Sequence, residues 1–169
     1  MKKNYFLLAV MIFTIGLYLT NNKKPAHYDL PDIPGIKIEE ITGIVITKAD
    51  SNLSLEKNSS LWQISPNGYP ADQEKMAGII DTIKNLHIVM LISELKNDVI
   101  FGLDNRNKIT VTAYNGDSIL REFEVGNTGP SRSHTFVKLR DDDRVYYANN
   151  SFRGIFEITA DQLRDNGPG

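Results

Sequence analysis

The residues best equipped for chemistry crowd between Gly126 and His134, in the run Gly-Asn-Thr-Gly-Pro-Ser-Arg-Ser-His. Arg132 offers a planar fork suited to a carboxylate or a phosphate. His134 adds an imidazole, the side chain most used for proton transfer near neutral pH. A serine close to a histidine suggests acyl transfer, with Ser131 or Ser133 as nucleophile. No Gly-x-Ser-x-Gly elbow is present to expose either hydroxyl, and no Gly-Lys-Ser/Thr follows Gly126–Pro130 to complete a phosphate loop. The run therefore reads as a long hairpin loop, with Asn127, Thr128, Ser131, Arg132 and His134 as the residues that contact a partner. A second cluster, Asp141-Asp142-Asp143, has the hard oxygen ligands a divalent cation prefers. It lacks the glycine and the later glutamate of a calcium loop and reads as a solvated hairpin tip. No catalytic, metal or cofactor-binding residue is assigned, and no cofactor is expected.

Composition narrows the chemistry further. The chain has 169 residues and no cysteine, which removes disulfides, thiolate catalysis and zinc-thiolate sites. Its histidines, His27, His87 and His134, are too far apart to show a metal-ligand spacing. A formal net charge of -2 gives no general attraction to nucleic acid, and none is expected as a partner. At 41% hydrophobic and 24% charged residues the chain has the make-up of a folded domain.

The elements that must carry the polar run begin beyond an unusual N-terminus. Tyr5 to Thr20 is apolar and uncharged, preceded by Lys2-Lys3 and followed by Lys23-Lys24. Sixteen residues at about 1.5 Å each cover roughly 24 Å of a hydrocarbon core near 30 Å. Tyr5 and Tyr18 suit the interfaces that close the difference. No small-x-small cleavage site follows the segment. Residues 1–20 therefore read as an uncleaved signal anchor in contact with membrane lipid through residues 5–20. Residues 21–36, with Pro25, Pro31 and Pro34, read as a spacer. Residues 37–165 form an extracytoplasmic domain and 166–169 a flexible tail.

Within the domain, β-branched and alternating patterns predict strands over Ile41–Thr47, Leu53–Glu56 and Leu61–Ile64, the last with Trp62 and Ile64 on one side. Asp72 is placed to cap a helix whose Met76, Ile79, Ile80, Ile83 and Leu86 form one apolar stripe. His87–Ser93 either extends that helix or forms a buried strand. Lys108–Tyr114 and Ile119–Val125 are predicted to pair across Asn115-Gly116, with Ile119, Arg121, Phe123 and Val125 on one face. Thr135–Leu139 and Arg144–Tyr147 make another hairpin, with Tyr146 and Tyr147 on opposite faces. Thr159 caps a last short helix. The fold class is α+β: antiparallel meanders and hairpins packed against one main amphipathic helix, preceded by a single transmembrane helix.

Several short marks occur in a familiar order: Ile46-Thr47-Lys48, Trp62-x-Ile64, Tyr69-Pro70-Ala71-Asp72, Phe101-Gly102-Leu103-Asp104, Val125-Gly126, Val145-Tyr146 and Leu163-Arg164-Asp165. Together they resemble the bacterial domain-of-unknown-function family DUF4340 over about residues 37–165. Phe101 stands where that pattern has tyrosine. The resemblance implies a short N-terminal membrane segment with an extracytoplasmic domain, and kinship to auxiliary proteins of gliding-motility-type ABC transport systems. It brings no catalytic residues. The function expected is a non-enzymatic accessory protein in the inner membrane, presenting its domain to a membrane protein complex such as a transporter. The alternatives are a small envelope hydrolase using Ser131 or Ser133 with His134, and a structural single-span subunit of a membrane assembly. N-terminal sequencing of the mature protein is expected to find residues 5–20 retained; a first residue near position 21 would exclude the anchor.

Overall fold

The computed structural model describes Met11, Phe13, Thr14 and residues 29–165. The expected anchor over residues 5–20, apart from Met11, Phe13 and Thr14, the first part of the spacer and the tail at 166–169 lie outside the described residues. Among the described residues no helix is long and apolar enough to cross a membrane.

The domain is built on one antiparallel sheet. Its strands are β1 (Gly43–Lys48), β2 (Ser51–Asn58), β3 (Leu61–Ser65), β4 (Tyr69–Pro70), β5 (Ile88–Ser93), β6 (Ile109–Asn115), β7 (Ser118–Thr128), β8 (His134–Leu139) and β9 (Val145–Asn149). They lie in the order β4-β3-β2-β1-β6-β7-β8-β9-β5. The helices are short: α1 (Gln73–Lys84), α2 (Asp98–Phe101), α3 (Arg153–Phe156) and α4 (Ala160–Leu163), with a 3-10 turn at Ile38–Glu40.

Period-2 alternation makes the sheet two-faced. On one face Ile44 lies opposite Leu55 and Ala113, and Ile46 opposite Leu53 and Val111. Leu55 continues to Ile64, and Val125 to Ile109 and Val137. These residues and Trp62, Phe123 and Tyr146 form one buried cluster with Met76, Ile79, Ile80 and Ile83 of α1. Local chemistry starts that helix where the sequence places it: the Asp72 carboxylate accepts from the N–H groups of Glu74 and Lys75 at 3.0 and 3.1 Å.

Helix α1 joins the two edges of the sheet, because β4 precedes it and β5 follows it. Nine flat strands spaced about 4.8 Å apart would put those edges roughly 38 Å apart. A 12-residue helix is roughly 18 Å long, so a flat sheet would require its two short flanking segments to run almost fully extended and in line with it to cover the remaining roughly 20 Å. The connection closes when the sheet curls over the helix, which is why Ile64 of β3 and Ile88 of β5 share one core with α1. The open choice at His87–Ser93 is settled by the same closure. Asn149 at the end of β9 captures His87: the His87 N–H donates to Asn149 Oδ1 at 2.9 Å, and the His87 carbonyl accepts from the Asn149 N–H at 3.0 Å. The chain then runs on as β5, paired to β9.

Other sequence expectations shift locally. The β6–β7 loop is Gly116-Asp117, one residue later than Asn115-Gly116, since Asn115 already pairs with Ser118. Gly116 takes φ +56°, and its N–H donates to Thr42 Oγ1 at 2.8 Å. Ile119 leaves the core face and is 37% exposed. The cause is a bulge: Ala113 pairs with Arg121 but Tyr114 with Ile119, so Leu120 is an extra residue and the parity changes there. Thr159 caps α4 in a full capping box with Gln162. Within the expected spacer, residues 29–36 carry no regular structure, yet Ile33 and Ile36 pack on the core.

Arg121 is the exception on the apolar face. It is 8% exposed, and its guanidinium donates to the carbonyls of Ile83, Lys84 and Pro34. Two of those carbonyls belong to the last turn of α1, where acceptors lack helical partners and the helix dipole favours a cation. The third ties down the segment leading in from the N-terminus. Burial lowers the pKa of Arg121 from its ordinary value. Arg121→Leu is expected to lower unfolding stability by about 2–4 kcal/mol, because it leaves buried carbonyls without donors. Arg121→Lys should recover only part of that loss, since an ammonium cannot reproduce the fork. Urea midpoints of the three proteins check this.

Candidate functional site

The polar run falls at the β7–β8 hairpin, and the structure divides it into a rigid base and an exposed tip. The polar composition predicts a loop from Gly126 to Ser133. In fact β7 continues to Thr128 and β8 begins at His134, leaving Gly129 to Ser133 as the loop. The Gly129 N–H donates to the His134 carbonyl at 2.8 Å, and the Arg132 N–H to the Gly129 carbonyl at 2.9 Å. Arg132 sits in the left-handed region at φ +56°, a conformation that costs a non-glycine residue about 1 kcal/mol.

The base is fixed by contacts on both sides. The His134 ring stacks on Tyr147 with centroids 5.2 Å apart, and Tyr147 meets Phe136 at 4.7 Å. Gly129 lies so close that a Cβ there would sit 2.9 Å from Tyr147 Cε1. Thr128 Oγ1 and Ser151 Oγ are 3.1 Å apart. Asn127 packs under Gly102, where a Cβ would lie 2.3 Å from Asn127 Oδ1. The tip residues Ser131, Arg132 and Ser133 are exposed. Of the residues singled out in the sequence, Thr128 and His134 thus stand at the base, Asn127 beneath a neighbouring turn, and Ser131 and Arg132 at the apex. Among the described residues no hydrogen bond joins the His134 imidazole to a serine or a carboxylate, and no ion pair engages Arg132. Tyr147, Ser151 and Gly102 are the members of this site that sequence reasoning missed. The alternation placing Tyr147 opposite Tyr146 was the available signal, but Tyr147 is half-buried in a second cluster, with Leu103, Phe136, Val145, Ile92 and Phe101.

That second cluster lies on the sheet face away from α1. Helix α2 reaches it through Phe101, whose ring meets Phe136 at 4.9 Å. Gly102 ends the helix at φ +67°. Gly126 makes room for the approach: a Cβ there would lie 2.3 Å from the Phe101 carbonyl oxygen and 2.9 Å from Leu103 Cγ. The middle of the same face is polar. Lys108 pairs with Glu124 at 2.5 Å, and the buried Lys138 ammonium with Asp98 at 2.6 Å.

Within the acidic triplet, only Asp142 turns away from solvent. Asp141 and Asp143 are both exposed, the latter in a surface ion pair with Lys96 at 2.6 Å. Asp142 accepts from Arg144 Nε and Nη2 at 2.9 and 2.8 Å and from the Tyr146 hydroxyl at 2.7 Å. The Arg144 guanidinium holds the Asp142 carboxyl down from an ordinary 3.8 to about 2. Burial, with the bond to Asp142, holds the Tyr146 phenol above its usual range. On the α1 side, a groove of about 780 Å³ runs between α1 and the α3–α4 segment, bordered by Lys75, Gly78, Gly154 and Arg164.

The marks that carry the sequence resemblance meet in space at two places. Phe101-Gly102-Leu103 and Val125-Gly126 interlock as described. Tyr69-Pro70-Ala71-Asp72 meets Leu163-Arg164-Asp165: Ala71 bridges to Arg164, the Asp72 N–H donates to the Leu163 carbonyl at 2.8 Å, and the Asp165 N–H to the Pro70 carbonyl at 3.0 Å. Arg164 also lies over the Tyr69 ring at 3.9 Å. A family model described as a domain of unknown function, DUF4340, matches residues 62–168, more than half of the chain. The chain belongs to the DUF4340 family. Both motif contacts lie inside the matched range, whereas the Ile46-Thr47-Lys48 strand precedes it. No curated protein and no solved structure matches this DUF4340 member.

The Asp142 network yields a pH signature. Its folded carboxyl loses its proton more readily than the unfolded one. The stabilisation is therefore complete above the ordinary value of 3.8 and disappears as pH falls through about 2. Because Arg144 is partly exposed, the contribution is about 1–2 kcal/mol. Asp142→Asn is expected to lower stability by that amount at neutral pH and to flatten the decline across that acid window. Chemical unfolding at neutral and acid pH measures both effects.

Proposed function

We propose that this protein is a non-enzymatic accessory subunit anchored in the inner membrane by residues 5–20, with its sheet domain on the extracytoplasmic side. Its partner is a membrane protein complex of the transporter kind, and the contact is made by the β7–β8 hairpin. The observation that carries this reading is the build of that hairpin. Glycine packing, a ring stack and a cross-loop hydrogen bond hold the base, while Arg132 projects from the exposed tip in a left-handed conformation. A rigid scaffold that carries a fixed cation on a loop is suited to recognising an acidic group on another molecule. Backbone strain concentrates where a particular presentation is used. The uncharged run from Tyr5 to Thr20 and the kinship to transport-system auxiliary proteins implied by the sequence support the membrane setting.

In this reading Asn127, Thr128, Ser131 and His134 frame Arg132, and the acidic partner group takes its fork. The test is Arg132→Ala in the full chain, followed by co-purification from native membranes at low and at moderate salt. Recovery of the partner is expected to fall about tenfold if the pair is desolvated. Unchanged recovery at both salt levels would move the contact to the anchor or to another face of the domain.

A further inference from the structure

The two edges of the sheet are finished in different ways. At the β4 edge the strand has only two residues, one of them Pro70, and the α4 end of the chain covers it through the Ala71–Arg164 bridge and Arg164 over Tyr69. Short length, proline and a covering segment are the usual protections of an edge. The β5 edge is neither short nor proline-bearing nor covered by a described segment, and its only irregularity is a pair of register shifts in its pairing with β9. It is six residues long, Ile-Val-Met-Leu-Ile-Ser, without a charge or a proline, and among the described residues it pairs with β9 alone.

Apolar surface accompanies that open ladder. Val89 is 40% and Met90 54% exposed, and Leu95, Val99 and Ile100, in the segment that follows, are 66–74% exposed. Register irregularities either side of Met90-Leu91 bend the strand and turn Val89 and Met90 outward together. Met90 lies opposite Tyr147, on the sheet face that α2 covers with Phe101. These side chains leave on the order of 500 Å² of apolar surface, as much as the largest patch of an ordinary monomer.

We propose that β5 is a dimerisation edge: two copies of this chain pair β5 with β5, antiparallel about a two-fold axis, and join their sheets into one. The neutrality of the strand argues for a second copy as the occupant. A two-fold axis sets each residue near the axis against itself or a close neighbour in sequence, so any charge there would face its like. An uncharged, apolar strand meets that condition. Antiparallel pairing also continues the pattern of every other pair in the sheet. Isologous pairing consumes both open edges at once, so assembly stops at two.

Because the chain has no cysteine, the test can be site-specific. The full chain, purified in mild detergent, is expected to sediment as a monomer–dimer equilibrium. Met90→Cys, treated with a short bis-maleimide, should give a covalent dimer, whereas Leu61→Cys, exposed on β3 beside the other edge, should not. Met90→Lys should raise the dimer dissociation constant about tenfold or more by setting like charges face to face. If Met90→Lys does not fold, the cross-linking result decides. A chain that stays monomeric without cross-linking would overturn the proposal. So would a dimer that Met90→Lys leaves unchanged, which would place association in the N-terminal segment. Cross-linking of Met90→Cys in native membranes to a different polypeptide, with no dimer of this chain, would also overturn it and assign the edge to a foreign strand.

Discussion

A buried guanidinium organises the centre of this domain. Arg121 stands on a middle strand of the sheet, on its otherwise apolar face, and reaches the end of α1, the longest of the described helices. A cation is costly to bury, and here the cost is offset by carbonyls that would themselves be unsatisfied. The Ile83 and Lys84 carbonyls are acceptors the helix cannot use, and the Pro34 carbonyl belongs to a segment without regular structure. One side chain therefore ties the last turn of the helix and the incoming chain to the middle of the sheet. The helix in turn connects the two edges of the sheet and shares one core with Ile64 and Ile88 near them.

The opposite face follows a different logic. It is not a second full core. Its middle is threaded with ion pairs, and only the β8–β9–β5 end is apolar, where α2 closes over Phe136 and Tyr147. That closure depends on two glycines at points of near contact, Gly102 against Asn127 and Gly126 against the Phe101 carbonyl. The same residues are among the marks by which the DUF4340 family is recognisable in the chain. At these two marks the pattern has a physical origin, because segments distant in sequence touch there with no room for a side chain.

The hairpin proposed as the contact surface grows directly out of this packing. Tyr147 serves twice: its ring completes the apolar end of the face and supports His134 and Gly129 at the hairpin base. The exposed tip is therefore continuous with a well-packed scaffold. The open β5 edge borders the same end of the sheet, so both proposed contact surfaces lie where α2 and β9 meet, away from the protected β4 edge.

Features that depend on nearest neighbours were legible in the residues alone. Alternation in Trp62-Gln63-Ile64 and Ile109–Ala113 identified strands and their buried sides, because the pleat imposes a period of 2 regardless of partners. Asp72 and Thr159 marked helix starts, because a cap acts within three residues. The apolar stripe Met76–Ile83 marked the helix face for the same local reason. The tertiary structure decided everything that requires a partner far along the chain. His87–Ser93 became a strand because Asn149 captures it and β9 offers a ladder. Ile119 lost its place in the core because a bulge at Leu120 changed the parity of β7. Asp142 ceased to be a solvated carboxylate because Arg144 and Tyr146 turn inward on it, and the loop at Gly126–Ser133 shrank because Tyr147 stacks against its base. Arg121, a charge on an apolar face, had no local explanation at all. Its meaning lies in carbonyls from Pro34 and Ile83, far from it in sequence, and only folding places them within reach.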